Sequence, residues 1–199
     1  MAVALALIVP VRKKIMRLDL DLIESNDNLV HWLVVDAIRV PDIAEHAYKH
    51  EPLPELFLLF NNTSFEHLMD ISPVVFQFTG AKAIVEQMHT DFAVRSSSVI
   101  FSCDNTISLD VIKQHLHDLI TILINGDLIF FRYYSSAFWE KVALSLNAQD
   151  IDNILGPFEK LSWIDSKKEC QSIMRTDMPS ESASTAPFNF TSPIFVAQV

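Results

Sequence analysis

The chain has 199 residues, half of them hydrophobic, with 25 Asp and Glu against 15 Lys and Arg and a formal net charge of −10. This length suffices for one domain or two small lobes around a real core, and the composition is globular, not disordered. The acidic balance lacks the electrostatic footprint of a nucleic-acid binder, and the three glycines form no G-x-G-x-x-G or Walker phosphate cradle.

The apolar opening, MAVALALIVP, is about half the roughly 20 residues needed to span a bilayer. Arg12, Lys13 and Lys14 follow it instead of preceding it, the reverse of a secretory signal. It reads as a loose or strand-like leader, with Met16 as an alternative start. Leu18, Leu20 and Leu22 alternate with acids, which fits a short edge strand within 17–28.

His31–Val35 predicts a buried strand ending at Asp36. Pro41 suits the first turn of a helix to about His50, striped by Ile43, Ala44, Ala47 and Tyr48. Pro52 and Pro54 break it. A second strand covers Leu56–Phe60, and a turn over 61–64 caps a short helix at Phe65–Asp70. Pro73 opens a strand at Val74–Phe78, and Gly80 separates it from a helix over about Ala81–Phe92. Ser98–Ser102 is a further strand. Ser108 is an N-cap candidate for a helix carrying Leu109, Ile112 and Leu116. Its periodicity extends to Ile124, but the β-branched run from Ile120 favours a switch to strand near Leu119.

Asn125-Gly126 is the sharpest turn signal, since a type I′ turn needs positive φ at both central residues. It predicts a hairpin of Leu119–Ile124 with Leu128–Tyr134. The second strand ends in Phe130-Phe131-Arg132-Tyr133-Tyr134, one guanidinium among four aromatic rings. Two roles fit Arg132: covering an edge of a core hairpin, or reaching an acid at the end of another buried strand, Asp36 first among them. A helix follows over Ser136–Leu146, then a short one over Gln149–Leu155, then Gly156-Pro157 and a strand at Phe158–Ile164. From about Thr176 the chain is rich in Ser, Thr, Pro and Ala and ends in the apolar cluster Ile194-Phe195-Val196. That tail reads as a disordered end, as an edge strand on its own sheet, or as a free arm adding a strand to a partner.

The expected fold class is α/β (α+β): a mixed β-sheet with a hairpin at about 119–134, flanked by helices, with a small C-terminal helical part. The expected organisation is a leader over 1–28, a domain over 29–165 and a tail over 166–199.

No constellation in the sequence supports an enzyme. His115 and His117 lie about 200° apart on a helix and cannot converge on one metal. His46 and His50 have ligand spacing but lack the H-E-x-x-H pattern. Ser96-Ser97-Ser98 is a polar loop without a G-x-S-x-G elbow. Asp150 and Asp152 decorate the first turn of a helix. Cys103 and Cys170 form no CxxC, and Cys103 reads as a small buried residue.

Five stretches in order resemble the type VI secretion effector adaptor (chaperone) family. They are Leu33–Ala37 with Asp36; Leu59–Thr63 with Ser72-Pro73-Val74-Val75; Ser108–Leu116; Gly126–Tyr134 with Arg132, Tyr133 and Tyr134; and Ala148–Pro157 with Gly156, Pro157 and the later Trp163. Together they span roughly residues 30–165. Ser135-Ser136 stands where the family usually has Asp-Pro. The resemblance implies a bacterial cytoplasmic protein that binds a cognate effector and helps load it onto the VgrG spike. It implies no cofactor and no catalysis, and nucleic acid, membrane insertion and a small-molecule substrate are not expected. An immunity protein that plugs a toxin and a small hydrolase using His and Asp are the alternative classes.

Overall fold

Buried strands need a hydrogen-bond partner for every backbone group, and this chain supplies them in two separate ladders. The structure, a computed structural model, describes residues 28–175 and 185–196. The expected leader, the edge strand within 17–28, the choice of start and the first part of the Ser/Thr-rich tail lie outside the described residues. In chain order the elements are β1 (Leu29–Val35), α1 (Ile43–His50), β2 (Leu56–Leu58), β3 (Val74–Phe78), α2 (Lys82–Thr90) and α3 (Phe92–Ser96). There follow β4 (Ser98–Asp104), α4 (Leu109–Asp118), β5 (Thr121–Ile124), β6 (Asp127–Phe130), α5 (Ser136–Val142) and α6 (Ala148–Leu155). The last are β7 (Lys160–Ile164), β8 (Cys170–Met174), β9 (Asn189–Phe190) and α7 (Pro193–Val196). The class is the expected α+β, with a small helix near the C-terminus.

The larger sheet has six strands in the order β2-β3-β1-β4-β7-β8, antiparallel throughout. Successive side chains on β1 point to opposite faces. Trp32 and Val34 enter one apolar cluster, Leu33 and Val35 the other. Both faces are therefore covered, which is why His31–Val35 reads as a continuous apolar run instead of an alternating one. One face is covered by α1, α2 and α3 through Ile43, Ala47, Ile84, Met88 and Val94. The other meets α4, α5, α6 and the second sheet through Ile112, Leu116, Trp139, Val142, Ile154 and Leu155.

The predicted hairpin forms this second sheet, in the order β6-β5-β9. Asn125 and Gly126 have φ of 55° and 90°, as a type I′ turn requires. The second strand is shorter than expected: it ends at Phe130, because Phe131 turns into the core and Ser135 N–H closes a turn on the Arg132 carbonyl at 3.2 Å. The helix expected over about 81–92 is α2, and the short α3 follows it directly. Asp91 ends the first and caps the second, its carboxylate accepting the Ala93 and Val94 amides at 2.7 and 3.4 Å. The mixed strand directions lie in the small sheet, where β9 runs parallel to β5.

The large sheet does not stop at residue 165. A turn held by Asp165, whose carboxylate accepts the Lys167 and Glu169 amides at 2.9 Å, leads into β8. The end of the chain is docked as well: Phe188, Phe190 and Phe195 are buried in the core. Of the three readings of the tail, the described part matches the edge strand on the chain's own sheet.

Two glycines differ in a testable way. At Gly126 an added Cβ meets nothing within 4 Å, so only the positive φ resists substitution. At Gly156, φ is 51° and the Cβ would lie 2.1 Å from the His115 ring. Gly126→Ala should cost about 1–2 kcal/mol. Gly156→Ala adds overlap with a buried ring and should cost about 2–5 kcal/mol in urea denaturation. His115→Ala should relieve part of the second loss and none of the first.

Acid should weaken the fold. His31 is buried in β1, with Nδ1 2.8 Å from Ser102 Oγ. Burial, aided by Lys160, pushes its pKa from 6.5 down to about 4. Burial also lowers His115 and His117. The unfolded chain then binds protons that the folded chain refuses. The His31 contribution is complete above about pH 6.5 and is lost as pH falls towards 4, up to about 3 kcal/mol. Urea midpoints between pH 7 and 4.5 should fall less steeply for His31→Gln than for the native chain; parallel slopes would contradict this assignment.

Candidate functional site

The site begins at the end of β1. Asp36 is 2 % exposed, and its amide bonds the Ser97 carbonyl at 3.0 Å. One carboxylate oxygen accepts the Ile38 amide at 3.0 Å; the other accepts Arg132 Nη2. The expected partner of Arg132 is therefore the one found. The pair is buried only at its Asp36 end: the Arg132 side chain is 54 % exposed. Its alkyl stem leaves the chain just past the hairpin and its head sits at the rim, with Cζ 5.7 Å from the centre of the Tyr134 ring. Tyr134 is held protonated: burial lifts its phenol to about 12, with Arg132 pulling the other way and Asp36 adding to the rise.

The residues flanking Arg132 point inward. Tyr133 is fully buried, donates from its hydroxyl to the Leu116 carbonyl at 3.0 Å, and meets Phe101 of β4 edge-on at 5.8 Å. Its carbonyl accepts Trp139 Nε1 at 2.6 Å. Phe131 lies 5.3 to 5.8 Å from the rings of Phe138, Trp139 and Phe190. Trp163 of β7 joins through Trp139 at 6.4 Å, and its own Nε1 is buried without a protein partner.

Between the hairpin and the end of β1 lies a cavity of about 600 Å³. Ile122, Ile124, Ile129, Phe130, Phe131, Phe138 and Phe195 form its apolar wall. Its polar lining is Asp36, Ser96 and Ser97, which are buried, with the exposed Arg39 and Arg132 at the rim. An apolar wall with a few convergent polar groups is the general form of a binding pocket. Ser136, one of the two serines standing where the family pattern has Asp-Pro, donates to the Arg95 carbonyl at 2.6 Å and ties α5 to α3.

The structure brings Asp36, Arg132, Tyr133 and Tyr134 together. It does not bring the others there. Pro73 is buried at the β2–β3 edge, where its carbonyl accepts the Leu59 amide at 2.9 Å. Gly126 is at the hairpin tip, and Gly156-Pro157 ends α6. Sequence reasoning missed Arg39, Phe138 and Phe195 as lining residues. For Phe195 the signal was the terminal Ile-Phe-Val cluster; for Arg39 there was none.

Most of the groups that look catalytic in sequence are engaged structurally, though His117 Nε2 is buried with no hydrogen-bond partner among the described residues. His115 Nε2 is 3.0 Å from the Ile154 carbonyl. His46 uses Nδ1 towards Gln87 at 3.0 Å and Nε2 towards Asp42 at 3.2 Å. Burial raises the Cys103 and Cys170 thiols to about 12 and 11, which keeps them protonated. Asp150 is fully buried and accepts the amides of Thr191 and Ser192, the latter at 2.7 Å. Among the described residues no three His, Cys, Asp or Glu side chains group as metal ligands.

Arg132→Ala would leave a buried carboxylate with only the Ile38 amide, a loss of about 1–3 kcal/mol by urea denaturation. In an Asp36→Asn background the same change should cost much less, since no buried charge is stranded. Additive losses would mean that the two side chains do not act as a pair.

Residues 31–153, more than half of the chain, match the family model described as Domain of unknown function (DUF4123). The match runs from β1 into α6 and includes Asp36 and Arg132, whereas Gly156, Pro157 and Trp163 lie beyond it. No curated protein and no solved structure matches the chain. The pairing of a strand-end acid with the arginine after a hairpin thus falls within a recognised family, and the chain belongs to the DUF4123 family.

Proposed function

We propose that this protein is a type VI secretion effector adaptor: it binds a cognate effector in the bacterial cytoplasm and helps load it onto the VgrG spike, by binding and without catalysis. The observation that carries this reading is the family match over 31–153, a family known as an effector chaperone-like domain of that system. The cavity supports it. Holding an unassembled partner requires an apolar surface with a polar rim, and the wall and rim between the hairpin and β1 have that form. Among the described residues no helix is long and apolar enough to cross a membrane.

The net charge of −10 also suits an immunity protein facing a basic toxin, and the two readings part in the cell. Deleting the gene from its host should abolish secretion of one effector while the cells stay healthy, and the purified protein should bind that effector directly. Self-poisoning with undiminished secretion would favour the immunity reading instead.

A further inference from the structure

The outer edge of β6 has no strand on it among the described residues. The phase of the hairpin decides what that edge offers. A two-residue turn makes Ile124 and Asp127 a hydrogen-bonded pair, and the Phe131 amide again bonds the Ile120 carbonyl at 2.7 Å. Asp127, Ile129 and Phe131 therefore turn their backbone groups towards β5. Leu128 and Phe130 turn theirs outward. Their side chains are 64 % and 39 % exposed, unusual on an open edge, which proteins generally blunt with charge or proline.

Both faces beside this edge are apolar. On the face of Ile129 lies the cavity wall with Ile122 and Ile124. On the other face Phe130 meets Phe65 at 5.0 Å and Phe60 at 6.1 Å. The ends of the edge carry opposite charges: Asp127 beside the turn, and Arg132 with Arg39 at the cavity rim, where Asp36 offsets only one of the two arginines.

The geometry points to strand addition at β6: an extended segment of a partner protein, apolar on both faces over four or five residues, pairs antiparallel with Leu128–Phe130. Its acidic end lies beside Arg132 and its basic end beside Asp127. Antiparallel pairing is the more stable choice per residue, and backbone bonds at an open edge supply affinity while alternate side chains supply selection. The inference deepens the adaptor reading and rests on it only for the partner's being an effector.

Synthetic peptides test it apart from that reading. One carries two Asp, five alternating Val and Phe residues, then two Lys; a second reverses only the charged ends; a third has a central Pro. In amide NMR of the full chain at low salt, the first should shift Leu128 and Phe130 and bind at least about fivefold tighter than the second, while the third should not bind. Leu128→Pro removes an outward donor and no bond of the β5–β6 ladder, so it should abolish binding with the rest of the spectrum intact; should it unfold, Leu128→Lys with Phe130→Lys replaces it. Shifts elsewhere, or preference for the reversed peptide, would overturn the proposal. So would binding only after removal of residues 1–27, or a dimer lost in Leu128→Pro without peptide binding. Those last two would give the edge to the chain's own N-terminal segment or to a second copy. Loss of peptide binding together with intact effector secretion would sink this inference and leave the adaptor reading standing.

Discussion

The two sheets have separate ladders, so side chains must join them, and the join is the four residues after the hairpin. Arg132 reaches back to the buried Asp36 at the end of β1. Tyr133 crosses to Phe101 on β4 and to the last turn of α4. Phe131 holds the hairpin against α5 and β9. These residues lie past the end of β6, where the Ser135 amide closes a turn on the Arg132 carbonyl, so their side chains leave the backbone in different directions. Phe131 and Tyr133 enter the core, while Arg132 leans on the surface and returns its head to a carboxylate. Phe131 and Arg132 of this seam also line the cavity.

The C-terminal segment completes the same side of the molecule. β9 pairs with β5, and Phe195 closes part of the cavity wall. Its backbone is clasped by α6: Asp150 takes the Thr191 and Ser192 amides, and Ser192 Oγ accepts the Asn147 amide at 2.9 Å. Pulling the segment away would expose three phenylalanines and strand a buried carboxylate, each costly in water-free surroundings. It is therefore packed into the domain and is not a loose cover over it, and among the described residues no strand lies on the outer edge of β6.

Much of this was legible in the chain. Strands with local signatures, such as Val74–Phe78 after Pro73 and the Asn125-Gly126 hairpin, lie where periodicity and turn chemistry put them. The pairing of Asp36 with Arg132 was legible because both are polar residues ending buried runs. What was hidden depends on distant contacts. Nothing local to Cys170–Met174 marks it as a strand; it becomes one by pairing with β7. Asn189–Phe190 is too short to read alone and is fixed by β5 and by Asp150, some 40 positions earlier. Arg39 lines the cavity only because the chain turns sharply at Asp36, whose carbonyl accepts the Arg39 and Val40 amides.

If the protein is the proposed adaptor, the β6 side of the cavity is where it holds its effector. Hydrogen–deuterium exchange of the protein alone and bound to the effector whose secretion depends on it addresses this most directly. The outward amides of Leu128 and Phe130 should exchange freely in the isolated protein and become protected in the complex. Protection confined to the β2 or β8 edge of the large sheet, with residues 127–132 unchanged, would contradict it.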